Sequence, residues 1–159
     1  MQLDHKTLPP MRLAYIRHTG AYGRGGGIAI VWKRLIAWCG ANPQLLASWQ
    51  TYGIGHDNPG TTPPEQCRYD CCVELKDGAL PDGDVTVQAF AGGSYACARV
   101  TASSNTIAGL WQQMFRDWLP AAGLQPLSPE SLELYPEDFK VDEVTGVFSC
   151  WLCVPAKAG

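Results

Sequence analysis

The chain contains an internal repeat, and no other feature restricts its fold as much. Ser131-Leu132-Glu133-Leu134-Tyr135 alternates apolar and polar residues, the period of a strand with Leu132 and Leu134 on one face and Glu133 on the other. Ser48-Trp49-Gln50-Thr51-Tyr52 has the same skeleton: Ser, a polar side chain two residues on, then Tyr. The segments upstream match too, Leu35-x-x-Trp38-Cys39 answering Phe115-x-x-Trp118-Leu119. The chain therefore reads as one unit used twice, with an acid at 133 where the first copy carries the neutral amide Gln50.

Each unit reads as β-α-β-β. The first opens with a strand over 11–19 and a glycine-rich turn over 20–27. A helix follows, with Ile28, Val31, Trp32, Leu35, Trp38 and Cys39 on one face and Gly40 and Asn42-Pro43 closing it. Strands over 49–54 and 69–75 complete the unit, separated by a proline-rich exposed loop. The second unit has a strand over 85–101 bent at Gly92-Gly93, then a helix with Ile107, Leu110, Trp111, Met114 and Trp118 inward. Ser104 or Asn105 caps that helix, Pro120 and Gly123 end it, and strands over 132–135 and 147–154 follow.

Residues 1–10 read as a loose leader, and 11–156 as a single domain with half-repeats near 11–76 and 84–156. One short helix cannot cover a sheet face by itself. The two units are expected to pack side by side as an α+β fold, a curved and mostly antiparallel sheet with pseudo-two-fold symmetry and both helices on one face. A groove between the helices, floored by the sheet, is where a ligand would fit.

Composition narrows the function classes. A net charge of −3 with no basic stripe argues against direct nucleic-acid binding. No apolar run approaches a membrane span, and residues 1–10 hold no apolar signal core. Seven cysteines, an odd number without scaffold spacing, point to the reducing cytoplasm.

Several short motifs occur in a recognisable order. Ala14-Tyr15-Ile16-Arg17-His18-Thr19-Gly20 is followed by Trp32-Lys33-Arg34-Leu35-x-x-Trp38, Tyr52-Gly53-Ile54, Asp57-Asn58-Pro59 and Arg68-Tyr69-Asp70. Gly92-Gly93-Ser94-Tyr95-Ala96, Trp118-Leu119-Pro120, Leu132-Glu133-Leu134-Tyr135 and Val154-Pro155 complete the series. Over about residues 11–156 the sequence resembles the GyrI-like small-molecule-binding domain. The resemblance implies a tandem β-α-β-β fold and an aromatic-lined pocket holding one acid. It also implies one of three roles: capture of a small hydrophobic or cationic ligand, inhibition of DNA gyrase, or hydrolysis of cyclopropane-bearing alkylating compounds. With no helix-turn-helix in the ten-residue leader, DNA-binding regulation would require a separate regulator as partner. Two departures, Val100-Thr101-Ala102-Ser103 in place of a His-x-Gly-like turn and the glycine-rich residues 23–27, border the groove ends, so ligand preference is not inherited.

Glu133 matches the family's pocket acid, and a carboxylate among aromatics attracts a cation or takes up a proton. It is the ligand-binding candidate, and the catalytic one if the protein is an enzyme. The bland alternative is a solvated carboxylate or a pair with Arg99. Trp151 and Tyr69 are candidate pocket residues against the alternative of plain core, Gln50 and Tyr52 answer Glu133 and Tyr135 across the repeat, and Trp111 faces inward from its helix. Cys150-Trp151-Leu152-Cys153 sits on a strand, where residues three apart point to opposite faces, so no metal site is expected there. The glycine-rich turn lacks a phosphate-loop ending, and no cofactor is expected. His18 reads as a structural hydrogen bonder. Oligomeric state is not legible.

Overall fold

The computed structural model of the protein describes residues 1–22 and 27–159; of the glycine-rich segment 23–27, all but Gly27 lies outside the described residues. The strands are β1 (Asp4–Leu8), β2 (Met11–Thr19), β3 (Leu46–Gly55), β4 (Arg68–Leu75), β5 (Thr86–Phe90), β6 (Gly93–Ala102), β7 (Leu124–Pro126), β8 (Ser131–Tyr135) and β9 (Phe148–Ala158). Helix α1 spans Ile28–Ala41. Helix α2, Ile107–Gln113, continues through a π-helical turn, Met114–Trp118, into a last turn at Leu119–Ala121. Every strand pairing is antiparallel, and the order β1-β6-β9-β8-β3-β4-β2-β5, with β7 on β9, is palindromic in the two halves. The repeat is thus realised as a two-fold between β3 and β8, which relates β4 to β9, β2 to β6 and β5 to β1.

The N-terminal segment departs from expectation. Residues 4–8 form a strand rather than a loose leader, and they pair with β6 of the opposite half. The single bent strand expected over 85–101 is two strands, β5 and β6, and β5 pairs back onto β2. Each β-α-β-β unit is therefore preceded by one strand lent to its partner. The register of β1 on β6, with Leu8 opposite Gly93, runs without slip into that of β2 on β5, with Met11 opposite Phe90. The two long bent strands clasp the halves together and curl the sheet. At their crossing Gly92 adopts φ 74°, and a Cβ there would overlap the Leu8 carbonyl oxygen and lie 2.7 Å from the Pro9 carbonyl carbon.

Both helices lie on one sheet face. Val31, Leu35 and Cys39 of α1 recur every fourth residue and are buried against Ala14, Ile16, Cys71 and Val73. Asn42 closes the helix by donating from Nδ2 to the Trp38 carbonyl at 3.0 Å. The α2 side packs Met114 and Leu119 onto Ala98, Val100, Cys150 and Leu152. Here the helical repeat slips. Leu35 is fully buried, but Phe115, its match by sequence, is 39% exposed, and Met114 takes the inward place. The π-helical turn adds one residue between Met114 and Leu119, which restores the match by Leu119. The opposite face of the sheet carries its own core, built from Leu13, Tyr52, Ile54, Cys72, Tyr95, Leu132 and Cys153. Alternation along each strand puts Cys150 and Cys153 in different clusters, and likewise Cys71 and Cys72. No helix among the described residues is long and apolar enough to cross a membrane.

Candidate ligand-binding site

Glu133 sits at the centre of β8, beside the two-fold, on the helix-covered face. Its carboxylate receives three hydrogen bonds. Tyr69 of β4 donates to Oε1 at 2.6 Å, Tyr135 donates to the same oxygen at 2.8 Å, and Trp111 Nε1 of α2 donates to Oε2 at 2.8 Å. The strand period explains the first two contacts: Tyr135 follows Glu133 by two residues, and Tyr69 reaches it across β3. Trp32 of α1 bridges the halves, its ring 6.3 Å from that of Tyr69 and 5.5 Å from that of Tyr135, both edge-on. Tyr22 packs edge-on against Tyr69 and Phe139 edge-on against Tyr135, with Phe148 tilted against the Tyr135 ring. Aromatic rings thus surround the Glu133 carboxylate. A separate cavity of about 340 Å³ lies beneath β1, against Trp118 and Leu124.

The electrostatics follow from this packing. Burial, and then the charge of Glu133, holds the Tyr69 and Tyr135 phenols well above their ordinary pKa, so both remain donors. The same two causes push the Cys150 thiol up to about 12. The two carboxylate oxygens are not equivalent. Oε1 is held by two tyrosines of the sheet, whereas Oε2 is held by one tryptophan of a short helix that a side-chain movement can withdraw.

The floor of the site explains why it has a single acid. Gly53 lies directly opposite Glu133 in the β3–β8 register, so the residue answering Glu133 across the two-fold is Gly53, not Gln50. A Cβ on Gly53 would overlap the Tyr69 hydroxyl, and it would lie 2.6 Å from Tyr69 Cζ and 3.0 Å from Glu133 Oε1. The missing side chain is the space that the Tyr69–Glu133 pair occupies.

Of the candidates named from sequence, the structure brings together Glu133, Tyr69 and Trp111. It places Tyr52 and Trp151 on the opposite sheet face, because Tyr52, Leu134 and Trp151 are laterally opposed residues of β3, β8 and β9. Gln50 goes with them, donating from Nε2 to the Tyr52 hydroxyl at 2.6 Å. Arg99 does not pair with Glu133; it lies over the Trp151 ring on that far face. His18 makes a contact of 3.1 Å from Nε2 to the Ala21 carbonyl, a local structural bond. Sequence reasoning passed over Tyr135 and Trp32 as site residues. The same period that singled out Glu133 carries Tyr135, whereas the role of Trp32 depends on two halves meeting.

A second buried carboxylate lies on the far face. Asp70 is fully buried and is bound bidentately by Arg17 at 2.7 and 3.0 Å, with Gln88 Nε2 at 2.9 Å and His56 Nε2 at 2.6 Å. Burial alone would raise its pKa, but the bonds from His56, Arg17 and Gln88 win and hold it at about 2. With all its partners internal, this group is structural.

The family model of the GyrI-like small molecule binding domain matches residues 1–157. The chain belongs to this family. The GyrI-like domain is 31% identical over 142 residues to a protein named DNA gyrase inhibitor in Edwardsiella piscicida, covering 87% of this chain and 88% of that one. Among solved structures it is similar to SAV2435 bound to tetraphenylphosphonium, with a TM-score of 0.66, 15% identity, and 99% and 94% of the two chains covered. It is also similar to a hydrolase encoded by lin2189 from Listeria innocua, with a TM-score of 0.63, 9% identity, and 98% and 92% covered. At these identities the structural likenesses establish the fold.

Proposed function

We propose that this GyrI-like domain is a cytoplasmic protein that binds aromatic, hydrophobic, positively charged small molecules, with the ligand's charge at Glu133. The observation that carries this reading is the half-buried carboxylate between the two helices, ringed by Trp111, Trp32, Tyr69 and Tyr135. Tyr69 and Tyr135 hold Oε1 in place, and a ligand displaces Trp111 to reach Oε2. Its cation then replaces one donor, and its rings replace the contacts of the indole. The aromatic cation bound by SAV2435, a protein of the same fold, supports this choice of ligand.

Tetraphenylphosphonium is the probe that tests the reading. Calorimetric titration of wild type and Glu133→Gln is expected to show saturable binding weakened about tenfold or more by the exchange, the scale of losing a charge-assisted partner. Equal affinity in the two proteins refutes the placement of the ligand's charge.

A second reading rests on the chemistry of the same three groups. Two phenols kept protonated beside a carboxylate form an acid–base set, which is what a hydrolase needs to direct water at a strained electrophile and protonate the leaving carbon or nitrogen. The hydrolase from Listeria innocua shares the fold. Product analysis with a cyclopropane-bearing alkylator separates the two readings, since turnover abolished by Glu133→Gln identifies an enzyme. A gyrase-directed role, suggested by the relatives' name, would appear as inhibition of supercoiling that survives Glu133→Gln.

A further inference from the structure

The two-fold repeat sets the same three positions twice on the sheet face away from the helices. In the first half Arg17 stands opposite Asp70, and Gln88 stands opposite Leu13, four residues before Arg17. In the second half Arg99 stands opposite Trp151, and Lys6 stands opposite Tyr95, four residues before Arg99. The register therefore equates Asp70 with Trp151, Arg17 with Arg99, and Gln88 with Lys6.

The chemistry at these matched positions is opposite. In the first half the central acid collects Arg17, Gln88 and His56 and is fully buried. In the second half the centre is a half-buried indole on β9, with Arg99 on the adjacent strand β6 and Lys6 one strand further out on β1. Lys6 Nζ lies 4.0 Å from the Trp151 ring centroid, and the Arg99 guanidinium carbon lies 5.5 Å from it. Neither cation joins an ion pair among the described residues. Asp4, on the same face of β1 as Lys6, is exposed and bonds to neither, and Glu130 is engaged with the Tyr95 hydroxyl. A ring quadrupole attracts two cations but neutralises neither. The second half thus keeps the donors of a carboxylate cradle without the carboxylate.

We infer that Lys6, Arg99 and Trp151 form a second ligand site, selective for a carboxylate carried on a flat apolar body. The ligand's carboxylate takes the part that Asp70 plays in the other half, paired to the Arg99 guanidinium and the Lys6 ammonium. Its rings take the place over the Trp151 indole that the two cations leave when they turn to the carboxylate. The domain then has a cation-preferring site on one sheet face and an anion-preferring site on the other. This site does not depend on the reading of Glu133.

The probe is 2-naphthoate, titrated into the full chain labelled with 5-fluorotryptophan and followed by fluorine NMR. Trp151→Phe assigns one of the six tryptophan resonances. A saturable shift of the Trp151 signal is expected, and Arg99→Gln should weaken it about tenfold. Lys6→Gln, which copies the residue already used at Gln88, should weaken it in the same direction. Neutral 2-naphthylmethanol should bind at least about tenfold more weakly, and Glu133→Gln should leave the naphthoate titration unchanged. Absence of a saturable Trp151 shift overturns the inference, as does wild-type naphthoate affinity in both the Arg99 and Lys6 variants. A shift that disappears in Glu133→Gln also overturns it, by placing the ligand on the other face.

Discussion

Replacing Gly53 by alanine adds one methyl group at the centre of the site, and the structure gives the cost. The new Cβ would overlap the Tyr69 hydroxyl and sit 2.6 Å from Tyr69 Cζ. Restoring an ordinary carbon contact of about 3.5–4.0 Å moves the ring back by about 1 Å or more. That retreat lengthens a hydrogen bond of 2.6 Å past the distance at which it counts as one. Overpacking a filled site costs about 1–3 kcal/mol. Losing a phenol donor to a carboxylate costs about 1.5–3 kcal/mol. Relief of glycine's backbone freedom returns about 0.5–1 kcal/mol. The net loss is about 1.5–5.5 kcal/mol, which lowers the midpoint of thermal unfolding by about 3–22 °C for a chain of this size.

Gly109→Ala is the internal control. Gly109 lies inside α2, and a methyl group added there would have nothing within 4 Å, so the same chemical change should stabilise by about 0.5–1 kcal/mol. Thermal unfolding followed by circular dichroism reads both variants, and calorimetry with tetraphenylphosphonium reads the effect of Gly53→Ala on the site. A Gly53→Ala protein that melts within a degree or two of wild type and binds the probe equally well would refute the account of the floor.

Acid should loosen the far face at Asp70. Asp70 is held at about 2, below the ordinary aspartate value of 3.8, so its contribution is fully present above about pH 4 and is lost as pH falls toward 2, about 2 kcal/mol in all. Urea unfolding between pH 5 and 2 checks this, and Asp70→Asn should flatten that part of the profile. All seven cysteines are free and buried, so a thiol reagent such as dithionitrobenzoate should react slowly with the native protein and fully after denaturation. Rapid labelling of the native state would show that the sheet opens locally.

The repeat, the two amphipathic helices and the acid at 133 were legible because each depends on residues close together in sequence. Period-two alternation identified the face of Glu133, and the spacing of Val31, Leu35 and Cys39 identified the core face of α1. The same alternation also contained the correct partner Tyr135. The assignment of Gln50 as counterpart of Glu133 failed because matching letters (Ser48 with Ser131, Tyr52 with Tyr135) do not report strand register. Pairing sets Gly53 opposite Glu133. Similarly, Phe115 matched Leu35 by letter, but one added residue in the π-helical turn turned Met114 inward instead.

The sequence by itself determined which residues are apolar, how they recur, and therefore that two β-α-β-β units with an acid on one strand would form and pack together. Tertiary structure decided which side chains share the site. Residues distant in the chain meet only through hydrogen-bond register and helix packing, so Tyr69 and Trp111 reach Glu133 while Tyr52 and Trp151 face away. It also decided the place of residues 4–8, whose alternation is weak and whose partner strand lies some ninety residues away in β6. A strand of this kind gains its stability from the edge it completes, and that edge exists only once the other half has folded.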